Sequence, residues 1–360
     1  MLMKVAVIGS GNGALAVAFD WAQHGHTVSM SNDPAFSHHI DPVGQAGGIT
    51  ATGDLSGFAK IAYAGTDAER ALDGAELILA VGPAFATETI ARTAAPFLTR
   101  GQAIIVCPTS CAGSAAFKAT AGIDITNTDY TVGETSTLPY AVRTTGPAEI
   151  NFFKKIDGGF YVAGLPRSGT DRLYDILLEV YPFVEKAGSI FQTTLQNGNP
   201  VIHPAVTLLN AARIEQTAGD FEFYWEGVTP AVGDLMQAVD KERLAIGQAL
   251  GVDVIPEPTL GVMQGYNSAD NYTTGYSTAP GFKGIKAQDS LDNRYLTEDV
   301  GYTMIFLTDL AERIGVPTPV MNGIIDISGV LLHRNFRHEA ARTLAGTQLD
   351  RFTPAELTAL

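Results

Sequence analysis

One histidine in the sequence stands in a setting that suits acid–base chemistry. His203 lies within the apolar segment 200–206, whereas the other six histidines lie near turns or in charged stretches. Because an imidazole titrates near neutral pH, a histidine in such a segment could pass a proton to a carbonyl oxygen. The same pattern is equally typical of a histidine that is hydrogen-bonded within a core. The residues alone leave both interpretations open.

Two charged residues further along the chain could assist such a histidine. Asp299 lies in the first turn of a predicted helix, where the simpler role of a carboxylate is to complement the helix dipole. Arg294 could hold a carboxylate with two parallel hydrogen bonds. A surface ion pair with Asp292 is the simpler interpretation of Arg294 from the residues alone.

A glycine-rich turn near the N-terminus predicts a dinucleotide site. It follows the predicted strand Lys4–Ile8 and opens a predicted helix, which is the context that gives the motif meaning. Gly9 permits the tight turn, Gly11 lets the backbone approach a pyrophosphate, and Ala14 allows close packing of helix on strand. The free N–H groups of the helix N-terminus favour phosphate. The predicted NAD or NADP site comprises Gly9, Ser10, Gly11, Asn12, Gly13 and Ala14.

The residues expected at the adenosine ribose leave the choice between NAD and NADP open. Asn32 follows the second predicted strand, where NAD enzymes usually carry Asp or Glu, and Asp33 could take that role instead. No Lys or Arg between Lys4 and Lys60 is available to bind a 2′-phosphate. This absence weakly favours NAD.

A later strand end is expected to border the same site. Gly82 and Pro83 follow a buried predicted strand, and the carboxyl ends of parallel strands meet at one edge of a sheet. We therefore include both residues in the predicted cofactor site. A simple turn is an equally good interpretation of this pair.

The elements around these residues predict an α/β protein of two domains. Short β-branched strands alternate with helices through the first half of the chain, which is typical of a doubly wound parallel sheet. After about residue 190 the pattern becomes helical. We expect a Rossmann-type dinucleotide-binding domain over residues 1–190 and an all-α helical substrate domain over residues 191–360. The helices predicted in detail include residues 84–98, 199–217 with a bend at Pro204, 297–315 capped by Thr297, and 334–344.

Composition argues against several classes of protein. The formal net charge is −15 and Lys and Arg do not cluster, which disfavours nucleic acid and anionic membranes as partners. No apolar run approaches the roughly 20 residues of a membrane span, and no signal-peptide pattern is present, so we expect a cytoplasmic protein. Cys107 and Cys111 are too few for a disulfide scaffold and lack a nearby histidine, so no metal site is expected.

Several of these segments together resemble the opine dehydrogenases, the family of octopine, nopaline and bacterial N-(carboxyethyl)amino-acid dehydrogenases. The resemblance runs through nearly the whole chain. Besides the glycine turn, it rests on residues 133–136, 203–204 with 207–211, 226–230, and 293–295 with 298–300.

The resemblance implies NAD(P)H-dependent reductive condensation of an L-amino acid with a 2-keto acid such as pyruvate. It implies that His203 is the acid–base group, that Asp299 orients its ring and stabilises its charged form, and that Arg294 holds the keto-acid carboxylate. Glu134 and Thr135 would lie beside the substrate and the nicotinamide.

The resemblance does not identify the amino acid, because Asn197 and Asn199 lie where the family varies its amino-acid contacts. Two other functions stay open. One is a simple 2-keto acid or 2-hydroxy acid dehydrogenase, similar to ketopantoate reductase, that needs no amine. The other is a non-catalytic NAD(P)-binding regulator. Exposed helical faces are consistent with a homodimer.

Overall fold

The computed structural model describes residues 2–360, which fold into two compact units. The first unit comprises the chain up to Ile156 together with Phe160–Thr193 and Leu360. The second comprises Asp157–Gly159 and Thr194–Ala359. Within residues 2–360, no helix combines the length and the apolar character needed to span a bilayer.

The first unit contains two β-sheets. Its strands are β1 Lys4–Ile8, β2 Thr27–Ser31, β3 Gly48–Gly53, β4 Gly57–Lys60, β5 Tyr63–Gly65, β6 Leu77–Val81, β7 Ala103–Cys107, β8 Thr131–Thr135, β9 Tyr140–Gly146, β10 Glu149–Lys155, β11 Phe160–Gly164 and β12 Val184–Lys186. The main sheet has the order β12-β11-β8-β7-β6-β1-β2-β5. All its pairings are parallel except that of β11 with β8. The chain order reverses beside β1, between β2 and β6, which is where such sheets bind ligands.

Helices cover the main sheet of the first unit. They are α1 Asn12–Gln23, α2 Ser37–Ala46, α3 Ala68–Leu72, α4 Thr87–Ala94, α5 Gly113–Thr120 and α6 Thr170–Leu178, and α7 Ile190–Leu195 follows where the chain passes into the second unit. Apolar side chains of β1, β6 and β7, including Ile8, Ile78 and Ile104, pack with Phe117 of α5 in a buried core. Burial on both faces explains why these strands are continuous apolar runs. The helix predicted over residues 84–98 is α4 with a short 3₁₀ turn at each end.

The smaller sheet was not predicted. Its order is β4-β3-β10-β9, so β3 pairs with a strand about a hundred residues later in the chain. Three of the six residues of β3 and three of the four residues of β4 are exposed, and β3 begins and ends with glycine, which leaves little hydrophobic pattern. Pairing between distant segments is the property that a local pattern does not contain.

The second unit is built mainly from helices. They are α8 Asn199–Leu209, α9 Ala211–Thr217, α10 Pro230–Leu250, α11 Glu257–Met263, α12 Thr274–Ser277, α13 Arg294–Thr297, α14 Ile305–Ile314, α15 Pro319–Leu332, α16 Phe336–Glu339 and α17 Pro354–Leu357. A π-helix, Asp299–Met304, joins α13 to α14. An isolated β-bridge pairs Glu222 with Lys286.

Three helix predictions were wrong in detail. The helix predicted over residues 199–217 is divided into α8 and α9 at Asn210, whose side chain donates to the carbonyls of Val206 and Gly227. The bend expected at Pro204, inside α8, stays a prediction. The predicted helix 297–315 begins earlier, where Asn293 caps α13, and Thr297 is the last residue of α13. The predicted helix 334–344 is the single turn α16, which ends where Ala340 takes a positive φ of 43°.

Candidate active site

The turn after β1 has the backbone geometry of a phosphate cradle. Gly9 has φ +133°, and a Cβ there would lie 2.2 Å from the carbonyl oxygen of Val81, so no other residue fits. A Cβ on Gly11 would instead meet no atom within 4 Å. Gly11 caps α1 without a side-chain hydrogen bond, and the first turn of α1 has no acidic residue. The backbone N of Gly9 donates to the carbonyl of Ser31 at 2.8 Å, so the N–H groups available to an anion are those at the start of α1. The residues fit a dinucleotide pyrophosphate.

The other residues of the turn hold it in place. The buried Ser10 hydroxyl accepts a 2.6 Å hydrogen bond from Nδ2 of Asn32. Oδ1 of Asn12 accepts hydrogen bonds from the backbone N and the hydroxyl of Thr144, at 2.8 and 2.7 Å. A Cβ on Gly13 would lie 3.0 Å from the side chain of Leu138. Ser10 and Asn12 thus fix the turn through their side chains, and Gly13 allows close packing.

The ends of β2 and β6 lie beside this turn. Asn32 joins the end of β2 to Ser10, and its Oδ1 also accepts from the backbone N of Asp33. The Asp33 carboxylate accepts from the backbone N of Ala35 and caps a short 3₁₀ turn. Gly82 and Pro83 follow β6, which pairs directly with β1. The structure brings these predicted cofactor residues together at one edge of the main sheet.

Glu134 is a fully buried carboxylate at the end of β8. Its Oε1 accepts from the hydroxyls of Thr109 and Thr193, and its Oε2 accepts from the backbone N and the hydroxyl of Ser114, all at 2.6–2.8 Å. The hydroxyl of the neighbouring Thr135, also buried, donates to the carbonyl of Thr137 at 3.0 Å. These bonds hold Glu134 rigidly within the first unit, and a contact of Glu134 or Thr135 with substrate stays a prediction.

In the second unit, three side chains form a hydrogen-bonded chain. Nδ1 of His203 lies 2.8 Å from Oδ2 of Asp299, and Nε2 of His203 lies 3.1 Å from the hydroxyl of Tyr224. All three residues are at least 94% buried. A carboxylate only accepts hydrogen bonds, so Nδ1 must carry a proton toward Asp299, and a neutral imidazole then presents the lone pair of Nε2.

Two elements, α8 and the π-helix, position the hydrogen-bonded side chains of His203 and Asp299. His203 lies on the buried side of α8, where all residues of 200–207 are buried. Asp299 is the first residue of the π-helix, whose wider turn is a rare feature that occurs frequently at functional sites. The ring of Tyr295, from the preceding helix α13, stacks on the imidazole with centroids 3.9 Å apart. Asp299 and Tyr295 thus fix the histidine ring at its edge and on its face.

Tyr224 and Tyr295 were missed by the sequence analysis. Burial, followed by the charges of Tyr295 and Glu257, raises the pKa of Tyr224 well above its ordinary value, so its hydroxyl stays protonated. The available signal was position, because Tyr224 lies two residues before the 226–230 segment and Tyr295 belongs to the 293–295 segment. Neither segment showed which atom these phenols contact.

Arg294 lies close to the same cluster but pairs differently from the predicted surface ion pair. Its Nε is 3.7 Å from Oε2 of Glu298, one turn further along, and not beside Asp292. More than half of the Arg294 side chain is exposed, whereas Glu298 is buried. An exposed guanidinium one residue from Tyr295 is therefore available to an anion from solution. Within residues 2–360, no group of three or more His, Cys, Asp or Glu side chains could hold a metal ion.

Comparison with known proteins gives consistent matches. Residues 186–332 match the family model described as NAD/NADP octopine/nopaline dehydrogenase, alpha-helical domain. The chain is 32% identical over 354 residues to the opine dehydrogenase of Arthrobacter sp. (strain 1C), covering 97% of this chain and 96% of that relative. It is 28% identical over 356 residues to protein ocs of Agrobacterium tumefaciens (strain Ach5), with the same coverage of 97% and 96%. A solved structure of octopine dehydrogenase with NADH and L-arginine superposes with a TM-score of 0.81, covering 99% of this chain and 98% of that one at 19% identity.

Proposed function

Because the chain belongs to the opine dehydrogenase family, whose members are NAD(P)-dependent oxidoreductases, we propose that it condenses an L-amino acid with a pyruvate-like 2-keto acid. The reaction forms an N-(carboxyalkyl)amino acid and is reversible. The observation that carries the proposed chemistry is the buried Asp299–His203–Tyr224 chain, because it places a titratable imidazole between an orienting carboxylate and a neutral phenol.

The proton balance of the reaction explains the need for such a group. The neutral amine nitrogen forms a bond to the keto carbon and gives up its two protons, the carbonyl oxygen leaves as water after gaining two protons, and an imine remains. The imine nitrogen gains one proton when its carbon is reduced. When bound, the reduced nicotinamide supplies a hydride to the imine carbon. We propose that His203, protonated at Nε2, donates a proton to the departing oxygen, and that Asp299 stabilises the imidazolium. Tyr224 holds Nε2 in line through its hydroxyl.

The remaining predicted residues receive roles that fit their local structure. We propose that the Arg294 guanidinium binds the keto-acid carboxylate, as its exposure permits. We propose that Glu134 and Thr135 lie beside substrate and nicotinamide, where the four hydrogen bonds of Glu134 keep it rigid.

The cofactor would be held in the first unit. The turn at Gly9 and Gly11 would bind the pyrophosphate of NAD or NADP through the backbone N–H groups at the start of α1. We propose NAD as the preferred form, because the strand-end residues Asn32 and Asp33 offer no cation to a 2′-phosphate. A dinucleotide-binding role for residues 1–190, a substrate role for residues 191–360, a cytoplasmic location and a homodimer are proposals from the sequence.

The test follows oxidation of NADH and of NADPH by absorbance with pyruvate, in the presence and absence of a panel of L-amino acids. Oxidation that requires the amino acid is the expected result, and mass spectrometry of the product should show the condensed amine. Equal oxidation with pyruvate alone would replace this proposal with a simple keto-acid reductase. No oxidation across broad panels of keto acids and amino acids, with NADH bound, would indicate a binding protein.

A further inference from the structure

The tyrosine that contacts His203 lies in a turn and not in a helix or strand. Tyr224 belongs to the turn between α9 and α10, and its hydroxyl lies 3.1 Å from Nε2 of His203. Because the hydroxyl is at the far end of the ring, a small tilt of the ring would carry it away from Nε2. Functional side chains need packing that fixes their position to about 0.5 Å. The residues that pack on Tyr224 therefore decide whether the contact with His203 is kept.

A second segment, residues 279–285, is hydrogen-bonded to the chain on both sides of Tyr224. The residue before Tyr224 donates through its backbone N to the carbonyl of Ile285 at 2.8 Å. The residue after Tyr224 donates through its indole Nε1 to the carbonyl of Ala279 at 2.7 Å. Phe282 lies midway along the segment between these two attachment points.

The ring of Phe282 stacks on the ring of Tyr224. Their centroids are 4.2 Å apart and their planes are inclined by 19°. Phe282 is held in turn by Tyr266 and Tyr276, whose ring planes are inclined to its own by 20° and 9°, with centroids 5.7 and 6.0 Å away. A near-parallel stack opposes tilting of either ring out of its plane. Phe282 thus limits the motion that would separate the Tyr224 hydroxyl from His203.

Both partners of this hydrogen bond carry a stacked ring. Tyr295 stacks on the imidazole of His203 with planes inclined by 19°, the same angle as between Phe282 and Tyr224. The imidazole and the phenol are both buried, whereas Phe282 is half-buried. The two stacks together fix the donor and the acceptor relative to each other.

We propose that Phe282 is a positioning residue for the reaction, and that it acts by holding the Tyr224 hydroxyl on Nε2 of His203. This inference rests on the proposed function, which assigns proton transfer to His203. Displacing a group in an active site by about 1 Å can cost about 100-fold in rate. Since Tyr224 assists His203 through one hydrogen bond, worth about tenfold, the effect of Phe282 on kcat is limited to that amount.

The first test is a double-mutant cycle on kcat with Phe282→Leu and Tyr224→Phe. Phe282→Leu alone should lower kcat by about three- to tenfold, because the hydrogen bond to the imidazole is weakened or lost. It should leave KM within about twofold of the wild type, since substrate binding is retained. In the Tyr224→Phe background the same substitution should change kcat by less than about twofold, because the hydroxyl is already absent. Equal losses in the two backgrounds would overturn the inference.

Further variants separate the flat ring from the apolar volume. Phe282→Tyr keeps the ring and should retain most of the wild-type kcat, whereas Phe282→Met removes the ring and should repeat the loss seen with Phe282→Leu. Phe352→Leu is the matched control, because it makes the same change at a half-buried phenylalanine of the second unit whose ring packs on Arg351. Thermal unfolding establishes that each variant is folded. A wild-type kcat in folded Phe282→Leu or Phe282→Met would contradict the positioning role.

A second test needs no turnover. In protein labelled with ¹⁵N in its histidine rings, the Nε2 signal of His203 is assigned by its absence from His203→Ala. Tyr224→Phe should shift this signal by removing the hydrogen bond, and Phe282→Leu should shift it in the same direction. An unchanged signal in Phe282→Leu would overturn the inference and leave the opine reaction in place. A shifted signal in a protein that turns over no amino acid would support the positioning role and overturn the proposed reaction.

Discussion

At the scale of single residues, the proposed chemistry depends on how His203 is surrounded. The imidazole has one polar partner at each nitrogen, Asp299 and Tyr224, and an aromatic ring, Tyr295, on its face. This arrangement holds the ring in one orientation, which fits the proposed role of Asp299 in stabilising the imidazolium.

Replacing His203 with Ala should lower kcat by about 10²- to 10⁴-fold, the usual contribution of a positioned acid–base group. Asp299→Asn should also lower kcat, because an amide can no longer stabilise the imidazolium. Binding of NADH, followed by its fluorescence, should be unchanged in both variants, since the cradle lies in the first unit. His338→Ala, at an exposed histidine, is the control. A kcat within a few-fold of the wild type for His203→Ala would contradict the proposed role.

Tyr224→Phe should lower kcat by about tenfold, the loss expected for one hydrogen bond to a charged imidazole. The shape of the pH profile should stay the same between about pH 6 and 10, because the raised pKa of Tyr224 keeps its hydroxyl protonated throughout this range. Measuring kcat across that range for both proteins tests this. An alkaline decline present in the wild type and lost in Tyr224→Phe would show that the phenol titrates, against the present interpretation.

At the scale of elements, a few backbone positions decide what the site can bind. The β1–turn–α1 unit requires glycine at residue 9 for a conformational reason, whereas Gly11 has ordinary φ and faces open space. The backbone also sets the position of Asp299. The π-helix begins at this residue, and its carboxylate points toward His203 of α8.

Gly9→Ala and Gly11→Ala should therefore fail in different ways. Gly9→Ala places a methyl group against the Val81 carbonyl and a strained φ on the backbone, so we expect loss of several degrees in melting temperature or loss of folding. Gly11→Ala should fold normally and weaken NADH binding, because its methyl group occupies space meant for the pyrophosphate. Thermal unfolding and NADH titration of both variants test this. Unchanged NADH affinity in Gly11→Ala would place the dinucleotide elsewhere.

At the scale of the whole molecule, the residues proposed to bind the dinucleotide and those proposed for acid–base chemistry lie in different units. The glycine turn after β1 lies in the first unit, and His203, Asp299 and Tyr224 lie in the second. Each unit also contains one of the two tryptophans: the indole of Trp21 donates to Tyr181 in the first, and that of Trp225 donates to the carbonyl of Ala279 in the second. The unfolding of each unit can therefore be followed separately.

Addition of NAD⁺ should stabilise the first unit by linkage. At about 100 times the dissociation constant, a ligand adds about 2.7 kcal/mol to the free energy of unfolding. A Trp225→Phe variant reports on the first unit through Trp21, and its fluorescence transition should move to higher temperature. Gly11→Ala in the same background should reduce the shift at the same NAD⁺ concentration. A shift reported by Trp225 alone, in a Trp21→Phe variant, would place NAD⁺ in the second unit.

The fold class and the family could be predicted from the amino-acid sequence. The prediction of a Rossmann-type domain followed by a helical domain is confirmed by the helical-domain match and by the fold shared with octopine dehydrogenase. The prediction of an opine dehydrogenase is confirmed by the 32% identical relative. These features were accessible because a strand, a glycine turn and a helix are adjacent in the chain, so their pattern is local. The site roles of His203, Asp299 and Arg294 came from resemblance and stay predictions.

Which side chains contact one another could be seen only in the folded protein. Tyr224 is 21 residues from His203 in the sequence and Asp299 is 96 residues from it, yet both contact its ring. The small sheet likewise pairs β3 with the distant strand β10. Hydrophobic periodicity indicates whether a residue is buried, because this pattern is set by neighbouring residues in the chain. It does not indicate which residues a buried side chain contacts, because these come from distant segments.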